Sequence, residues 1–175
     1  MKKGLIPDKA DIHTNTGSLL FNKFGFAQKN HCNGRNQKCD RPRCLTCNIL
    51  FNNLEPFETE NLKIKFCDRS TCKTENIIYY CECIHCADYY FGKSSNPLHI
   101  RMNGHRSCFK FENNNYEDSA LSQHIYDKHV ENFDDKLDNF KVGIVKQTST
   151  SNLNRAEDFY IWSTQANVFH LNRYK

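Results

Sequence analysis

The sequence lacks several features that would place it in a membrane or outside the cell. It contains no run of about 18 apolar residues, the length that a membrane-spanning helix needs. Residues 1–8 are basic but have no apolar segment of the kind found in signal peptides. No internal repeat is visible. We therefore expect an intracellular protein with no membrane partner, whose ten cysteines bind metal rather than form disulfides.

Strong net charge is also missing, but the charge is unevenly distributed. Residues 1–50 carry nine Lys or Arg against three Asp, a net charge of +6, which leaves −2 for the remainder of a chain whose total is +4. A basic front on a nearly neutral body suggests a polyanionic partner. The alternative is a basic face that only keeps the protein soluble.

Hydrophobic patterning predicts an α+β fold of order ββααβα. Residues 77–81 and 89–92 are typical of strands, and the segment between them suits a hairpin connection. Pro97 suits the first turn of a helix that runs to about residue 109. A helix from Asp118 or Ser119 to about His129, a strand over 140–145, and a helix capped by Ser151 over about 153–164 follow. We predict a three-stranded antiparallel sheet flanked by helices. Residues 1–31 would be an arm or linker, residues 32–75 a zinc-binding basic segment and connector, and residues 76–175 the main domain.

Four cysteines occur within 16 residues near the front of the chain: Cys32, Cys39, Cys44 and Cys47. Four thiolates that end in a CxxC pair suit a tetrahedral zinc ion, and the metal would order a polar segment that has little core of its own. Arg41 and Arg43 lie inside this group, where contact with phosphate is natural.

A second CxxC pair, Cys83 and Cys86, supplies half of another zinc site. The other half is either Cys67 and Cys72 upstream or His124 and His129 downstream. The two histidines are five residues apart on a predicted helix, so both can reach one ion only near the helix end. The spacing does not decide between the two pairs.

Polar residues on the predicted frame form a set that suits phosphodiester cleavage. Arg101 and His105 are four residues apart and share a helix face. Glu157 can hold Mg²⁺ or Mn²⁺ while waters complete the metal's shell, and Arg101 can bind the phosphate. A tyrosine hydroxyl or a histidine near the metal can relay a proton.

The sequence resembles the GIY-YIG endonucleases over residues 76–175. Ile77-Ile78-Tyr79 and, eleven residues on, Tyr90-Phe91-Gly92 are similar to the two signature strands of that family. An Arg, a His one turn later, a helical Glu and an Asn follow in the family's order. The resemblance implies a metal-dependent DNA endonuclease with these catalytic residues: Tyr79, Tyr90, Arg101, His105, Glu157 and Asn172.

A narrower resemblance is to the endonuclease region of Penelope-like retroelements. It rests on Cys44-Leu45-Thr46-Cys47, Cys83-x-x-Cys86 and residues 101–106. It implies a second zinc site of Cys83, Cys86, His124 and His129, a nuclear location, and a reverse transcriptase of the same element as a partner. Ile77 stands where the family has Gly, Phe91 where Ile is usual, and Lys93 where that branch often has an acidic residue.

We therefore expect an enzyme that nicks or cuts DNA. The residues expected to contact nucleic acid are Arg41, Arg43, Lys93, Arg106 and Lys110. The alternative is a catalytically inactive, zinc-stabilised module that binds nucleic acid. A third reading, from the cysteine count, is a redox or metal-storage protein.

Overall fold

The computed structural model of this chain describes residues 36–51, 57–58, 63–109 and 115–172. These residues belong to one compact unit, which spans residues 31–175. The predicted arm over residues 1–31, together with Cys32 and Lys110, lies outside the described residues. No helix among the described residues is long and apolar enough to cross a membrane.

The described elements keep the predicted ββααβα order in the main domain and add short elements around it. The strands are β1 Phe57–Glu58, β2 Lys63–Ile64, β3 Ile77–Cys83, β4 Tyr89–Ser94 and β5 Phe140–Gln147. The α-helices are α1 Leu45–Asn48, α2 Leu98–Ser107, α3 Ala120–Lys128, α4 Leu153–Ser163 and α5 Ala166–Phe169. The 3₁₀ helices are Asn115–Asp118, Val130–Asn139 and Thr150–Asn152.

The main sheet has three antiparallel strands in the order β4-β3-β5 among the described residues. The α+β class and the three-stranded antiparallel sheet are therefore confirmed. The central strand β3 is rich in β-branched and aromatic residues and is buried along nearly its whole length, because both faces of the sheet are covered. Tyr79 pairs with Gly92 of β4 and with Ile144 of β5, and the register against β5 shifts between Ile78 and Tyr79.

Each face of the sheet packs against a different set of elements. Tyr79 lies in a core cluster with Leu98 and Met102 of α2, and this cluster also contains buried residues of α3. On the other face, the rings of Phe91 and Tyr160 of α4 stack with their centroids 5.4 Å apart. Helices α2 and α4 therefore approach the sheet from its two sides.

The cysteine-rich segment shares the core of the main domain. The backbone N–H of Phe51 donates to the carbonyl of Val142 at 2.9 Å, and the N–H of Val142 donates to the carbonyl of Ile49 at 2.8 Å. Asn36 extends this edge, since its side-chain oxygen accepts from the N–H of Ile144 at 2.6 Å. Residues 36–51 and Cys67, whose backbone N–H donates to the carbonyl of Ile144 at 2.7 Å, therefore pair with the outer edge of β5.

All three predicted helix starts differ in detail. Pro97, predicted in the first turn, instead precedes α2, which begins at Leu98. Ser119 precedes α3, but its side chain makes no capping hydrogen bond. The predicted cap Ser151 is wrong, because Ser151 lies within a 3₁₀ turn and Asn152 precedes α4. The segment after residue 164, where we predict no further element, contains the short helix α5.

Gly92 allows the closest approach between the two signature strands. A Cβ atom built on Gly92 would lie 2.4 Å from the hydroxyl oxygen of Tyr79 and 2.6 Å from a ring carbon of Tyr90. Both distances are far below van der Waals contact, so any side chain here would displace both tyrosine rings. The glycine is required at this position because of space.

We predict that Gly92→Ala destabilises the protein by about 1–3 kcal/mol, because two packed rings have to move. The matched control is Gly104→Ala in α2, where a Cβ atom meets nothing within 4 Å. In a helix interior this change should stabilise by about 0.5–1 kcal/mol. Urea unfolding of both variants measures the difference, and equal stability of the two variants would contradict the close approach.

Candidate active site and metal centres

The hydroxyl of Tyr79 is the meeting point of the predicted catalytic residues. The Nε–H of Arg101 donates to the Tyr79 oxygen at 3.0 Å, and this oxygen lies 2.8 Å from Nε2 of His105. Arginine can only donate, so the hydroxyl proton of Tyr79 is free to point toward the histidine. The ring centroid of Tyr90 lies 6.0 Å from that of Tyr79 and 6.2 Å from that of His105. Four of the six predicted residues therefore form one contact network.

Burial controls the protonation of this network. His105 is 4% exposed, and burial together with the charge of Arg101 lowers its pKa to about 3. His105 is therefore neutral at pH 7. Burial also raises the pKa of Tyr79, and the charge of Arg101 acts in the opposite direction. Both side chains are thus neutral at pH 7, and one of the two imidazole nitrogens of His105 is unprotonated.

Ser119 is a member of the network that the sequence analysis missed. Its Oγ lies 2.8 Å from Nδ1 of His105 and is buried. The contact fixes the orientation of the imidazole ring and leaves Nε2 facing Tyr79. The sequence analysis places Ser119 only at the start of a helix, and its separation of 14 residues from His105 gives no local signal.

Glu157 lies at the opposite side of β4 from this network, on α4. The ammonium of Lys93 donates a hydrogen bond to its Oε2 at 2.6 Å, and the two groups form an ion pair. Tyr90, Glu157 and Asn172 all line one open cavity of about 570 Å³. The cavity therefore connects Tyr90, at the edge of the network, with the Glu157 carboxylate.

Asn172 holds the second signature strand in place. Its side-chain oxygen accepts from the backbone N–H of Phe91 at 2.8 Å, and its amide nitrogen donates to the carbonyl of Phe91. Asn172 is 7% exposed. Both polar ends of its amide are used by the backbone of β4 at Phe91, so Asn172 is not a free polar group in this structure.

Four cysteines come together in front of α2: Cys39, Cys44, Cys47 and Cys72. Three of them are in the predicted first zinc site. Cys72 stands where we had placed Cys32, which lies outside the described residues. The sulfur of Cys72 is 3.5 Å from that of Cys44 and 3.6 Å from that of Cys47. Four sulfurs bound tetrahedrally to zinc lie about 3.8 Å apart, so the cluster fits this ion.

Cys72 was the less obvious ligand because it is 25 residues from Cys47. A turn at residues 72–73 brings the Cys72 thiol beside the other three. The carbonyl of Cys72 accepts hydrogen bonds from the backbone N–H and from the Nδ1–H of His99, each at 2.9 Å. His99 lies in the first turn of α2, whose backbone donors need such partners. Burial raises the pKa of Cys47 to about 11, so a metal ion is what would keep this thiol deprotonated.

The second set consists of Cys83, Cys86, His124 and His129, whose ligand atoms lie within 4.8 Å of one another. This is the downstream pair of the two alternatives. The sulfur of Cys86 lies 3.3 Å from Nε2 of His124, and Nε2 of His129 is buried without a hydrogen-bond partner. An unpartnered buried nitrogen beside two thiols is what a zinc ion would satisfy. His129 directly follows α3, which agrees with the expected position near the helix end.

Asp88 lies beside His124, one of the four residues of this second set. Its carboxylate lies 3.9 Å from Nδ1 of His124, 2.9 Å from the ammonium of Lys128 and 3.2 Å from Nδ1 of His170. Carboxylates in this position orient metal-bound histidines. Asp88 also connects the set to His170, two residues before Asn172.

The predicted nucleic-acid contacts are in different environments. Arg41 is exposed and donates to Nε2 of His99 at 2.9 Å, and Arg43 is exposed with a φ of 60°. Arg106 is half-buried and bonds Thr46 and Asn103, with one guanidinium nitrogen buried and unpaired. Lys93 is held by Glu157. Arg41 and Arg43 are therefore the described candidates most accessible to a phosphate backbone.

We predict that the protein purified without chelator holds about two zinc ions, one in each set. Cys72→Ser and His129→Ala should each reduce the content to about one ion. Cys108→Ser is the matched control, because Cys108 is half-buried and lies outside both sets. Metal analysis by mass spectrometry measures the content. If Cys72→Ser keeps both ions and Cys32→Ser loses one, Cys32 is the fourth ligand.

We predict that His105 makes stability depend on pH. The unfolded chain takes up a proton at His105 near pH 6.5, whereas the folded protein does so only near pH 3. Stability should therefore fall as pH falls through this window, by about 2 kcal/mol between pH 6.5 and 5 for this one group. Urea unfolding of wild-type protein and His105→Gln isolates the effect, because both retain the metal-binding cysteines. Parallel pH profiles would contradict it.

No protein-family profile, curated protein or solved structure matches this chain.

Proposed function

We propose that this protein is a divalent-metal-dependent endonuclease that hydrolyses DNA phosphodiester bonds with a GIY-YIG type of active site. The observation that carries the proposal is the shared hydroxyl of Tyr79, which contacts Arg101 and His105 at once. The cavity that contains Tyr90 and Glu157 supports it. A tyrosine that only packs in the core needs one hydrogen-bond partner. Tyr79 has two, the cationic guanidinium of Arg101 and the neutral imidazole of His105.

The residues of this network have complementary roles in phosphodiester hydrolysis. Neutral His105 is placed to accept the hydroxyl proton of Tyr79. Tyr79 is fully buried, so the attacking water has to reach it past Tyr90, which lines the cavity, before the Tyr79 oxygen can accept a proton from that water. The water oxygen then bonds to phosphorus as the bond to the leaving oxygen breaks. Arg101 is exposed beyond its contact with Tyr79, so its outer nitrogens can neutralise the charge that develops on the phosphate.

Glu157 fits a role as the ligand of Mg²⁺ or Mn²⁺. Among the described residues, clusters of three or more ligand atoms form only in the two Cys/His sets, so Glu157 would bind as a single carboxylate. Mg²⁺ commonly keeps several waters and takes one or two protein carboxylates. A bound ion would supply charge stabilisation at the phosphate and a lower pKa for its water.

The zinc sets have a structural role in this proposal. The first fixes the start of α2, which carries Arg101, and the second lies between the β3–β4 connection and the end of α3. Retroelement origin, a reverse transcriptase partner and a nuclear location are extensions of the proposal that rest on the sequence resemblance.

A second candidate is a zinc-stabilised module that binds nucleic acid without cutting it. One observation favours it: the Glu157 carboxylate already has a cation partner in Lys93. A binder would tolerate this ion pair, whereas a nuclease must exchange it for metal. Cleavage and binding assays on the same preparation separate the two candidates.

We predict Mg²⁺-dependent nicking of supercoiled plasmid that falls by about 10²–10³ in Glu157→Ala and in Arg101→Ala, because each removes charge stabilisation in the transition state. Asp158→Ala is the matched control, since it removes the exposed neighbouring carboxylate on the same helix. Circular dichroism checks that the variants fold. Undiminished nicking by Glu157→Ala would contradict the proposal, and duplex binding without nicking by the wild type would favour the binding module.

A further inference from the structure

Lys93 and Glu157 form an ion pair at the edge of the candidate site. The ammonium of Lys93 lies 2.6 Å from Oε2 of Glu157, and the side chains are 41% and 15% exposed respectively. Lys93 directly follows Gly92 on β4, and Glu157 lies on α4, which packs against β4. The lysine is thus the accessible partner, and the carboxylate is largely covered.

We propose that Lys93 is a built-in competing cation, which occupies the metal position at Glu157 until a divalent ion displaces it. The proposal rests on the proposed function, in which Glu157 is the metal ligand. A Mg²⁺ ion would sit about 2.0–2.1 Å from the carboxylate oxygen. The Lys93 ammonium, 2.6 Å from that same oxygen, would lie close to the metal ion and repel it.

The two partners differ in how easily they can move. Lysine carries its charge on a flexible four-carbon stem, and the exposed ammonium of Lys93 can move into water. The covered carboxylate of Glu157 is held on a helix whose neighbouring residues Ala156 and Tyr160 are buried. Metal binding therefore exchanges one cation for another at a fixed carboxylate, and the lysine lowers the apparent metal affinity.

Packing alone gives a different expectation. If the ion pair only fastens α4 to β4, its loss lowers stability and leaves metal affinity unchanged. Exposed ion pairs contribute little to stability, so metal affinity is the more sensitive readout.

The chain offers a closely matched control lysine. Lys93 and Lys146 both pair with Ile78, from opposite sides of the central strand, so they occupy the same row and face of the sheet. Compared with Lys93→Met, Lys146→Met removes the same charge and introduces the same side chain, but on β5.

The test is Mn²⁺ binding, followed by the electron paramagnetic resonance signal of the free ion, on the full zinc-loaded chain without DNA. Lys93→Met should lower the Kd for Mn²⁺ by about tenfold, because both the competitor and its repulsion are removed. Lys93→Arg, which keeps the charge, and Lys146→Met should stay within about twofold of wild type. Glu157→Gln should lose the site in either background.

The outcomes separate this inference from the proposed function. If Glu157→Gln abolishes Mn²⁺ binding but Lys93→Met binds no tighter than wild type, Lys93 is not a competitor and Glu157 remains the metal ligand. If Glu157→Gln leaves Mn²⁺ binding intact, the metal role of Glu157 fails and this inference fails with it.

Discussion

The close contact between the Tyr79 ring and the bare backbone of Gly92 determines how the candidate site is built. Because Gly92 has no side chain, the bulky and fully buried ring of Tyr79 on β3 can lie over the backbone of its partner strand β4, and the two strands stay paired. The Tyr79 hydroxyl lies inside the protein, where both Arg101 and His105 of α2 contact it. Displacement of that ring would break both contacts and move Tyr90, which borders the same glycine.

The two cysteine-containing sets hold the elements that carry this network. Cys72 belongs to the first set, and its carbonyl holds His99 at the start of α2. His124 belongs to the second set and lies on α3, which begins just after Ser119, the partner of His105. Metal binding at either set would therefore stabilise a helix that contacts the candidate site, and would help to keep its buried polar network in order.

The sequence was most informative where a residue's role depends on local pattern. The buried strands, the helix after Pro97 and the shared face of Arg101 and His105 follow from periodicity and spacing, and the structure has all three. Pairings between distant segments were not accessible in this way. Cys72 joins the first set through a turn, Ser119 meets His105 across 14 residues, and residues 36–51 pair with β5 about 90 positions later. Such contacts depend on tertiary packing, which no short window of sequence encodes.

The roles of Asn172 and Lys93 show a further limit of reasoning from residue type. An amide and an ammonium near a candidate nuclease site suggest contacts with substrate, yet Asn172 bonds the backbone of Phe91 and Lys93 pairs with Glu157. Both residues act first on the protein's own groups. The site is therefore organised by internal pairing, and under the proposed function substrate and metal would have to compete with or extend those pairs.

The most direct test of the account is anomalous diffraction from crystals of the zinc-loaded protein with Mn²⁺ and a short DNA duplex whose scissile phosphate resists cleavage. The account predicts a manganese peak beside the Glu157 carboxylate, with a phosphate between it and Arg101 and within reach of the Tyr79 hydroxyl. Manganese absent from Glu157, or DNA bound only along Arg41 and Arg43 away from Tyr79, would contradict it.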